Sequence, residues 1–312
     1  MPRTTANLLL LLAGLAWGGG FIAQSTAMDS IGPFLFLGLR FCLASLALVP
    51  FVIWETRRSD AKPLSPTHIR SLAMTGIVFF AAMALQQVGI LATTVTNAGM
   101  LTGLYVVLVP IIAWVLLGQR QHWIIWPSAA TALVGIWFIG GGGLNQLTWG
   151  DWVMVGAAVL AAFHVLAVGH AAQTSGRPMA LAAAQFLICG LAGLLGFGLC
   201  QAFGVQFEPL PSLGLIAAAA PEILYAGLIA GALAFTLMAF CQQFTNHADA
   251  GILLSSEALF AALGGALLLG ERLDVLGYMG CAMLFGAILL VSIAGADTID
   301  TEPEIKKNAP TP

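Results

Sequence analysis

Charged residues are scarce in this chain, and their scarcity excludes a soluble protein. Only 8% of the 312 residues are Asp, Glu, Lys or Arg, whereas 59% are apolar. A soluble domain carries roughly 25% charged residues, so this chain has too few to cover a water-facing surface. The formal net charge is only −3, and no basic cluster is dense enough to hold a polyanion. We therefore expect no nucleic-acid partner.

The sequence also lacks the signatures of metal sites and of catalysis. Its five cysteines lie in or beside apolar runs and show no Cys-x-x-Cys or histidine-paired spacing, which is typical of small membrane-buried side chains. No Walker motif is present, and the glycines at 140–143 precede no strand–helix unit. Gly-x-Ser-x-Gly and His-Glu-x-x-His are absent as well. We expect no metal, no cofactor, no direct use of ATP and no enzyme activity.

Long apolar runs are what the sequence has in abundance. A helix crosses a bilayer core of about 30 Å with about 20 mostly apolar residues, and ten segments meet that requirement. The connections are short, so no room is left for a soluble domain. We predict an all-α integral membrane protein with ten transmembrane helices. The predicted helices are 7–27, 33–54, 69–91, 96–117, 123–142, 150–171, 178–203, 218–241, 248–269 and 273–293.

The lysines and arginines predict the orientation. If the amino terminus lies inside, nine of the eleven fall on the inner side, Arg272 falls outside, and Arg40 lies within the second helix. The positive-inside rule then places both termini in the cytoplasm. Residues 295–312 are polar and predict a disordered cytoplasmic tail. The nine inner residues are Arg3, Arg57, Arg58, Lys62, Arg70, Arg120, Arg177, Lys306 and Lys307.

The fourth and ninth predicted helices repeat each other at an offset of 152 residues. This repeat predicts that the chain consists of two five-helix halves, residues 7–142 and 150–294. Because five is odd, the second half enters the membrane from the opposite face. Such inverted repeats are typical of secondary transporters, which bind their solute near the midplane between the halves. The matching stretches are Asn97-Ala98-Gly99 with Asp249-Ala250-Gly251, and Leu116-Leu117-Gly118-Gln119-Arg120 with Leu268-Leu269-Gly270-Glu271-Arg272.

The order and duplication of several short motifs resemble the EamA-type branch of the drug/metabolite transporter superfamily. The resemblance spans about residues 7 to 294 and implies ten helices, a bacterial inner-membrane location and secondary transport, commonly export of amino acids or other metabolites. The second half departs from the first, with Ala161 where Trp17 would repeat and Gln185 where Arg40 would repeat. The matching motifs are Leu15-Ala16-Trp17-Gly18, Leu39-Arg40-Phe41, Asn97-Ala98-Gly99 through Pro110, and Ser256-Glu257-Ala258 through Gly270-Glu271-Arg272.

Two charged side chains inside predicted helices are the leading functional candidates, because charges within a bilayer are costly. Glu257 lies near the midplane, where burial favours the protonated carboxyl, so it is a candidate proton carrier or a structural carboxyl. Arg40 lies about 10 Å deep in the second helix. It either binds a solute carboxylate, pairs with Glu257, or extends to the outer interface.

Four further residues complete the predicted solute and proton pathway. His164 is a candidate proton relay or a hydrogen-bonded structural residue. Gln86 and its neighbour Gln87 interrupt the third helix, where an amide either bonds a neighbouring helix or faces a cavity. Because adjacent residues cannot share one helix face, at most one of them faces a cavity. Trp17 and Tyr105 either line an apolar cavity with a polar edge or serve ordinary helix packing.

We therefore predict a secondary active transporter of small organic metabolites, namely a proton-coupled exporter of amino acids or related solutes. Multidrug efflux of lipophilic cations is one alternative. A membrane enzyme that uses Glu257 and His164 as acid and base is another. The expected partners are the lipid bilayer, a small-molecule solute and protons. The oligomeric state stays open, with a homodimer as one alternative.

Overall fold

A computed structural model describes residues 1–58, 63–118, 121–139, 148–245, 247–270, 272 and 274–297. All regular secondary structure in these ranges is helical, which confirms the predicted all-α class. Residues 298–312, most of the predicted disordered tail, lie outside the described residues. The helices are α1 (Arg3–Ala27), α2 (Pro33–Arg57), α3 (Pro66–Gly89), α4 (Val95–Thr102), α5 (Tyr105–Leu117), α6 (Ile125–Ile139), α7 (Trp149–Ser175), α8 (Pro178–Phe203), α9 (Leu213–Ala218), α10 (Ala220–Leu224), α11 (Ala234–Cys241), α12 (His247–Leu254), α13 (Ser256–Leu268) and α14 (Val275–Asp297).

The helices correspond to the ten predicted segments. Within the described residues, eight stretches are long and apolar enough to cross a membrane. The fifth and tenth predicted segments appear as the shorter apolar helices Ile125–Phe138 and Val275–Ile288. We call the end of the bundle where α1 begins the amino-terminal face, and the other end the opposite face.

Two of the spanning stretches are interrupted at equivalent positions. The fourth is broken between α4 and α5, at Gly103 and Leu104, and the ninth is broken between α12 and α13, at Ser255. Gly103 and Ser255 are 152 residues apart, the offset of the sequence repeat. Pro110 is not the site of the interruption, since α5 runs through it. Discontinuous helices near the centre of a bundle are the usual setting of a solute site in transporters.

The eighth stretch contains a π-helix, Tyr225–Leu233, between α10 and α11. π-Helical segments are rare and often mark functional positions. This one packs against α2 so closely that a Cβ atom on Gly227 would lie 2.8 Å from the backbone oxygen of Arg40. The wider helix therefore sits directly beside a residue of the predicted pathway.

The helix contacts follow a two-fold pattern. The second and seventh spans, α2 and α8, pack together, as do the fifth and tenth, α6 and α14. The contact of α3 with α7 is mirrored by that of the π-helix and α11 with α1. The contact of α1 with α13 is mirrored by that of α7 with α5. Exchanging the halves thus leaves the arrangement unchanged, as a two-repeat transporter fold requires.

Two buried carboxylates join α2 and α8 at opposite ends. At the amino-terminal face, Glu55 accepts hydrogen bonds from the backbone N–H groups of Met179 and Ala180, both at 3.0 Å, at the start of α8. At the opposite face, Glu208 accepts from the N–H groups of Phe34 and Leu35, at 2.7 and 3.1 Å, at the start of α2. Each carboxylate satisfies helix N–H groups that have no partner within their own helix.

Candidate functional site

A cavity lies at the centre of the bundle and is lined by α1, α2, α3, α4, α5, α7, the π-helix, α11 and α13. The cavity volume that is open to water is about 60 Å³, which is enough for a few water molecules. All six residues of the predicted pathway line it, although they come from six different helices. They are Trp17, Arg40, Gln86, Tyr105, His164 and Glu257.

Arg40 is a buried cation that no anionic side chain of the described residues contacts. Its side chain does not extend to the outer interface, since the residue is only 3% exposed. The guanidinium carbon instead lies 5.0 Å from the Phe36 ring centre and 4.5 Å from that of Phe41. One terminal nitrogen approaches the sulfur of Met83 at 3.9 Å, and Nε has no hydrogen-bond partner. In the described part of the chain no carboxylate, Glu257 included, forms an ion pair with it.

Glu257 and Tyr105 occupy equivalent positions in the two halves and lie next to each other. They are 152 residues apart, and each lies in the first turn after the break in its own span. The Tyr105 hydroxyl lies beside the Glu257 carboxyl group. Even so, the hydroxyl and the Oε1 atom of Glu257 are both buried and lack a well-formed hydrogen bond.

His164 forms the third polar element of the cavity. Its Nε2 atom lies 2.8 Å from Oε1 of Gln185 on α8, and its ring centre lies 4.8 Å from that of Phe79. The hydrogen bond agrees with the structural interpretation of His164, while its place in the cavity wall agrees with a role in transport. Gln185 occupies the position of Arg40 in the second half and was not among the predicted site residues.

The other predicted residues either line the cavity or form hydrogen bonds between helices. The Trp17 ring lines the cavity and its Nε1 donates to the backbone oxygen of Ala230 at 2.9 Å. Gln86 also lines the cavity. Its neighbour Gln87 points away and donates to the backbone oxygen of Gln24 at 3.4 Å. Only one of the adjacent glutamines faces the cavity, as their spacing on a helix demands.

Several polar atoms of the cavity wall are buried and have no hydrogen-bond partner in the described residues. Buried polar groups are normally bonded, and each exception points to water, an ion or a ligand. Five such atoms around one small cavity indicate that it is built to hold polar groups. They are Gln24 Oε1, Arg40 Nε, Thr102 Oγ1, Tyr105 Oη and Glu257 Oε1.

Aromatic rings close the cavity on the side of the amino-terminal face. The Phe235 ring centre lies 4.5 Å from that of Trp17 and 4.8 Å from that of Phe79. Phe186, eight residues into α8, packs against Phe79 and Phe235 at 5.9 and 5.7 Å. This layer consists of packed aromatic rings and lies between the cavity and the amino-terminal face.

Sequence reasoning missed Thr102, Phe235 and Gln185. Thr102 and Gln185 are polar residues in apolar runs, a signal that marks them as candidates but does not place them at one cavity. Phe235 carries no signal, because one phenylalanine in a membrane helix resembles any other. The described residues contain no group of three or more His, Cys, Asp or Glu that is arranged to hold a metal ion.

A known structure and known sequences resemble this chain over nearly its whole length. A protein of known crystal structure superposes with a TM-score of 0.70 at 17% identity, covering 95% of this chain and 99% of its own. An uncharacterized transporter of Archaeoglobus fulgidus is 29% identical over 94% of this chain and 87% of its own length. The uncharacterized transporter YwfM of Bacillus subtilis (strain 168) is 28% identical over 94% and 96%.

The family comparison matches the chain twice, once in each half. The model of the EamA-like transporter family aligns with residues 4–141 and again with residues 148–293. Together the two matches take in almost every described helix, and they confirm the resemblance seen in the motifs. With its helical bundle, its two-fold contacts and this double match, the chain is a multi-pass membrane protein that belongs to the EamA-like transporter family.

Proposed function

We propose that this transporter carries a small organic solute with a carboxylate group, of the amino-acid class, and exports it in exchange for protons. The observation that supports the proposal is Arg40, a buried guanidinium that lines the central cavity and has no anionic partner among the residues that the structure describes. An arginine does not shed its charge. Removing such a charge from water costs several kcal/mol unless a partner offsets it, and a solute carboxylate is a fitting partner.

The same observation weighs against efflux of lipophilic cations. A cationic solute in this cavity would lie among the same few side chains as the Arg40 guanidinium, in a medium that screens charge poorly. Glu257 offsets part of that repulsion, but it is not paired with Arg40. A solute with both a carboxylate and an ammonium group fits both ends of the cavity, and its aromatic walls accept an apolar side chain.

Glu257 is the residue that we assign to the proton. Burial disfavours its charged form, and its Oε1 atom has no hydrogen-bond partner among the described residues. A solute ammonium group that enters the cavity favours the carboxylate, so binding of solute releases the proton. When the solute leaves, the carboxyl group takes up a proton again. Exchange of one for the other follows, without energy from ATP.

The relatives are transporters, which makes an intramembrane enzyme built on Glu257 and His164 the weaker alternative. The predicted topology puts nine of the eleven basic residues on the side of the membrane where α1 begins, so we assign the amino-terminal face to the cytoplasm and the protein to a bacterial inner membrane. The aromatic layer then faces the cytoplasm. A homodimer stays a prediction.

Proton-coupled exchange is tested with purified protein in liposomes under an imposed pH gradient, while internal pH and labelled solute are followed. Amino acids, organic acids and cationic drugs form the panel. We expect an amino acid or organic acid to trigger proton movement, and Glu257→Gln to abolish it. Because hydrogen bonds to charged groups contribute about 1.5–3 kcal/mol, Arg40→Gln should weaken solute binding by about tenfold or more.

The matched control is Arg70→Gln, which removes an exposed arginine from α3 outside the cavity. It should behave like the wild type. Proton movement triggered only by cationic drugs would replace this proposal with cation efflux. Solute uptake that persists unchanged in Glu257→Gln would remove Glu257 from the proton path.

A further inference from the structure

Gln185 contacts His164, which lines the cavity, but is not itself one of the lining residues. It lies in α8, is fully buried, and places Oε1 2.8 Å from Nε2 of His164. It is also the residue that stands in the second half where Arg40 stands in the first. Arg40 faces the cavity directly, whereas Gln185 reaches it only through the imidazole of His164. The two equivalent positions therefore differ in their relation to the cavity.

The chemistry of this contact selects one form of the imidazole. A neutral imidazole has one nitrogen that donates a hydrogen bond and one that accepts it. The amide oxygen of Gln185 has no hydrogen, so the bond at 2.8 Å requires the proton on Nε2 of His164. The lone pair is then on Nδ1. The partner of one ring nitrogen commonly decides the state of the other.

The packing around the pair leaves the imidazole little freedom to change. The His164 ring lies against Phe79 and Phe235, with ring centres 4.8 and 6.1 Å away. Helix α3 packs closely against Gln185, since a Cβ atom on Gly76 would lie 3.2 Å from the Gln185 Cα. A ring held on two sides by aromatic neighbours and on a third by an amide keeps one orientation.

We propose that Gln185 is a positioning residue for transport, which holds His164 in one orientation with the proton on Nε2 and the lone pair on Nδ1. This inference rests on the proposed function and deepens it. Arg40 offers the solute hydrogen-bond donors only, whereas this form of His164 supplies an acceptor. The cavity thereby fits a solute that carries a carboxylate together with an N–H donor.

The other charged or titratable groups near the pair come from separate helices. Arg40 on α2, Tyr105 on α5 and Glu257 on α13 line the same cavity, and Cys189 on α8 lies near Arg40. The amide of Gln185 brings no negative charge, so it stabilises an imidazolium less than a carboxylate at the same position would.

The first test observes the imidazole directly and needs no solute. Protein labelled with ¹⁵N-histidine is studied by NMR in lipid bilayers, and the His164 signals are assigned by their loss in His164→Asn. We expect the wild type to show the proton on Nε2. Gln185→Leu should show a mixture of both neutral forms, and Gln185→Glu should keep the imidazolium to a higher pH. A wild-type signal with the proton on Nδ1 would overturn the inference.

The second test follows the pH profile of solute transport in liposomes. Gln185→Glu, which keeps the size of the side chain, should move the midpoint of the profile upward by about one pH unit or more, because a carboxylate stabilises the imidazolium. In a His164→Asn background the same substitution should cause no shift. An equal shift in that background would show that Gln185 does not act through His164.

The two tests separate failure of this inference from failure of the proposed function. If no solute of the panel is transported by the wild type, the proposed function fails, while the NMR result still decides the state of His164. If His164→Asn is inactive, the NMR arm decides alone. A transporting wild type with an unshifted Gln185→Glu profile refutes the positioning role only.

Discussion

Glu55 offers the sharpest test of how this bundle is held together. Its carboxylate is buried and accepts three hydrogen bonds, from Nε of Arg177 at 3.2 Å and from the N–H groups of Met179 and Ala180 at 3.0 Å. Arg177 is buried as well, with 8% of its side chain exposed. Glu55→Ala therefore leaves a buried guanidinium without its carboxylate, and two helix N–H groups without an acceptor.

The magnitude follows from these contacts. Removing one partner of a buried ion pair costs about 3–5 kcal/mol. A water-accessible cavity of about 630 Å³ adjoins Glu55 and Arg177, and Arg177 keeps its bond to Thr56 Oγ1 at 2.7 Å. Water and this bond offset part of the loss, so we expect the lower end, about 3 kcal/mol. Glu55→Gln retains an acceptor and should lose about half as much.

The free energy of unfolding is measured in mixed micelles by titration with a denaturing detergent, followed by circular dichroism. Arg57→Ala is the matched control, because Arg57 is a charged neighbour on the same helix that is exposed. It should change the unfolding free energy by less than about 0.5 kcal/mol.

A double variant separates the ion pair from simple packing. Glu55→Leu combined with Arg177→Met removes both charges, and apolar replacement of a buried pair is often close to neutral. It should be less destabilised than Glu55→Ala alone. A Glu55→Ala protein within about 1 kcal/mol of the wild type would refute the reasoning, and so would a double variant as unstable as the sum of the single ones.

Two further predictions concern the same pair of helices. A Cβ atom on Gly193 would lie 2.8 Å from the backbone nitrogen of Gly38, so Gly193→Ala should lower the free energy of unfolding by about 1–3 kcal/mol. Gly198→Ala on the same helix meets nothing within 4 Å and should be neutral or slightly stabilising; equal effects of both would exclude close packing as the cause. Glu208 lies between the spans, where burial raises its pKa above the ordinary 4.5 more than the N–H groups at the start of α2 lower it. The folded state then takes up the proton at higher pH than the unfolded chain, so this contribution to stability is complete below the ordinary pKa and lost as pH rises through the raised one. The melting temperature of the wild type should rise relative to Glu208→Gln on acidification from about pH 8 to about pH 5, and a fall would contradict the shift.

The all-helical fold was predictable because the signal for a membrane helix is local. About 20 apolar residues in a row suffice to identify a span, and each half carries five such runs. The repeat at an offset of 152 residues then predicted two related halves, and the motifs predicted the family. Internal detail of the spans was not predictable in this way. The breaks at Gly103 and Ser255 and the π-helix depend on contacts with other helices.

The sequence by itself determined which residues are costly to place in a bilayer. Glu257, Arg40, His164 and Gln86 stand out because a polar group in an apolar run needs a partner, and that need is visible without coordinates.

Only the tertiary structure decided which partner each polar residue has. Gln185 bonds His164, Glu257 lies beside Tyr105, and Arg40 lies against two phenylalanine rings. These pairs come from helices far apart in the chain. Their choice depends on helix rotation and depth, which close packing between helices sets and an apolar run alone leaves free.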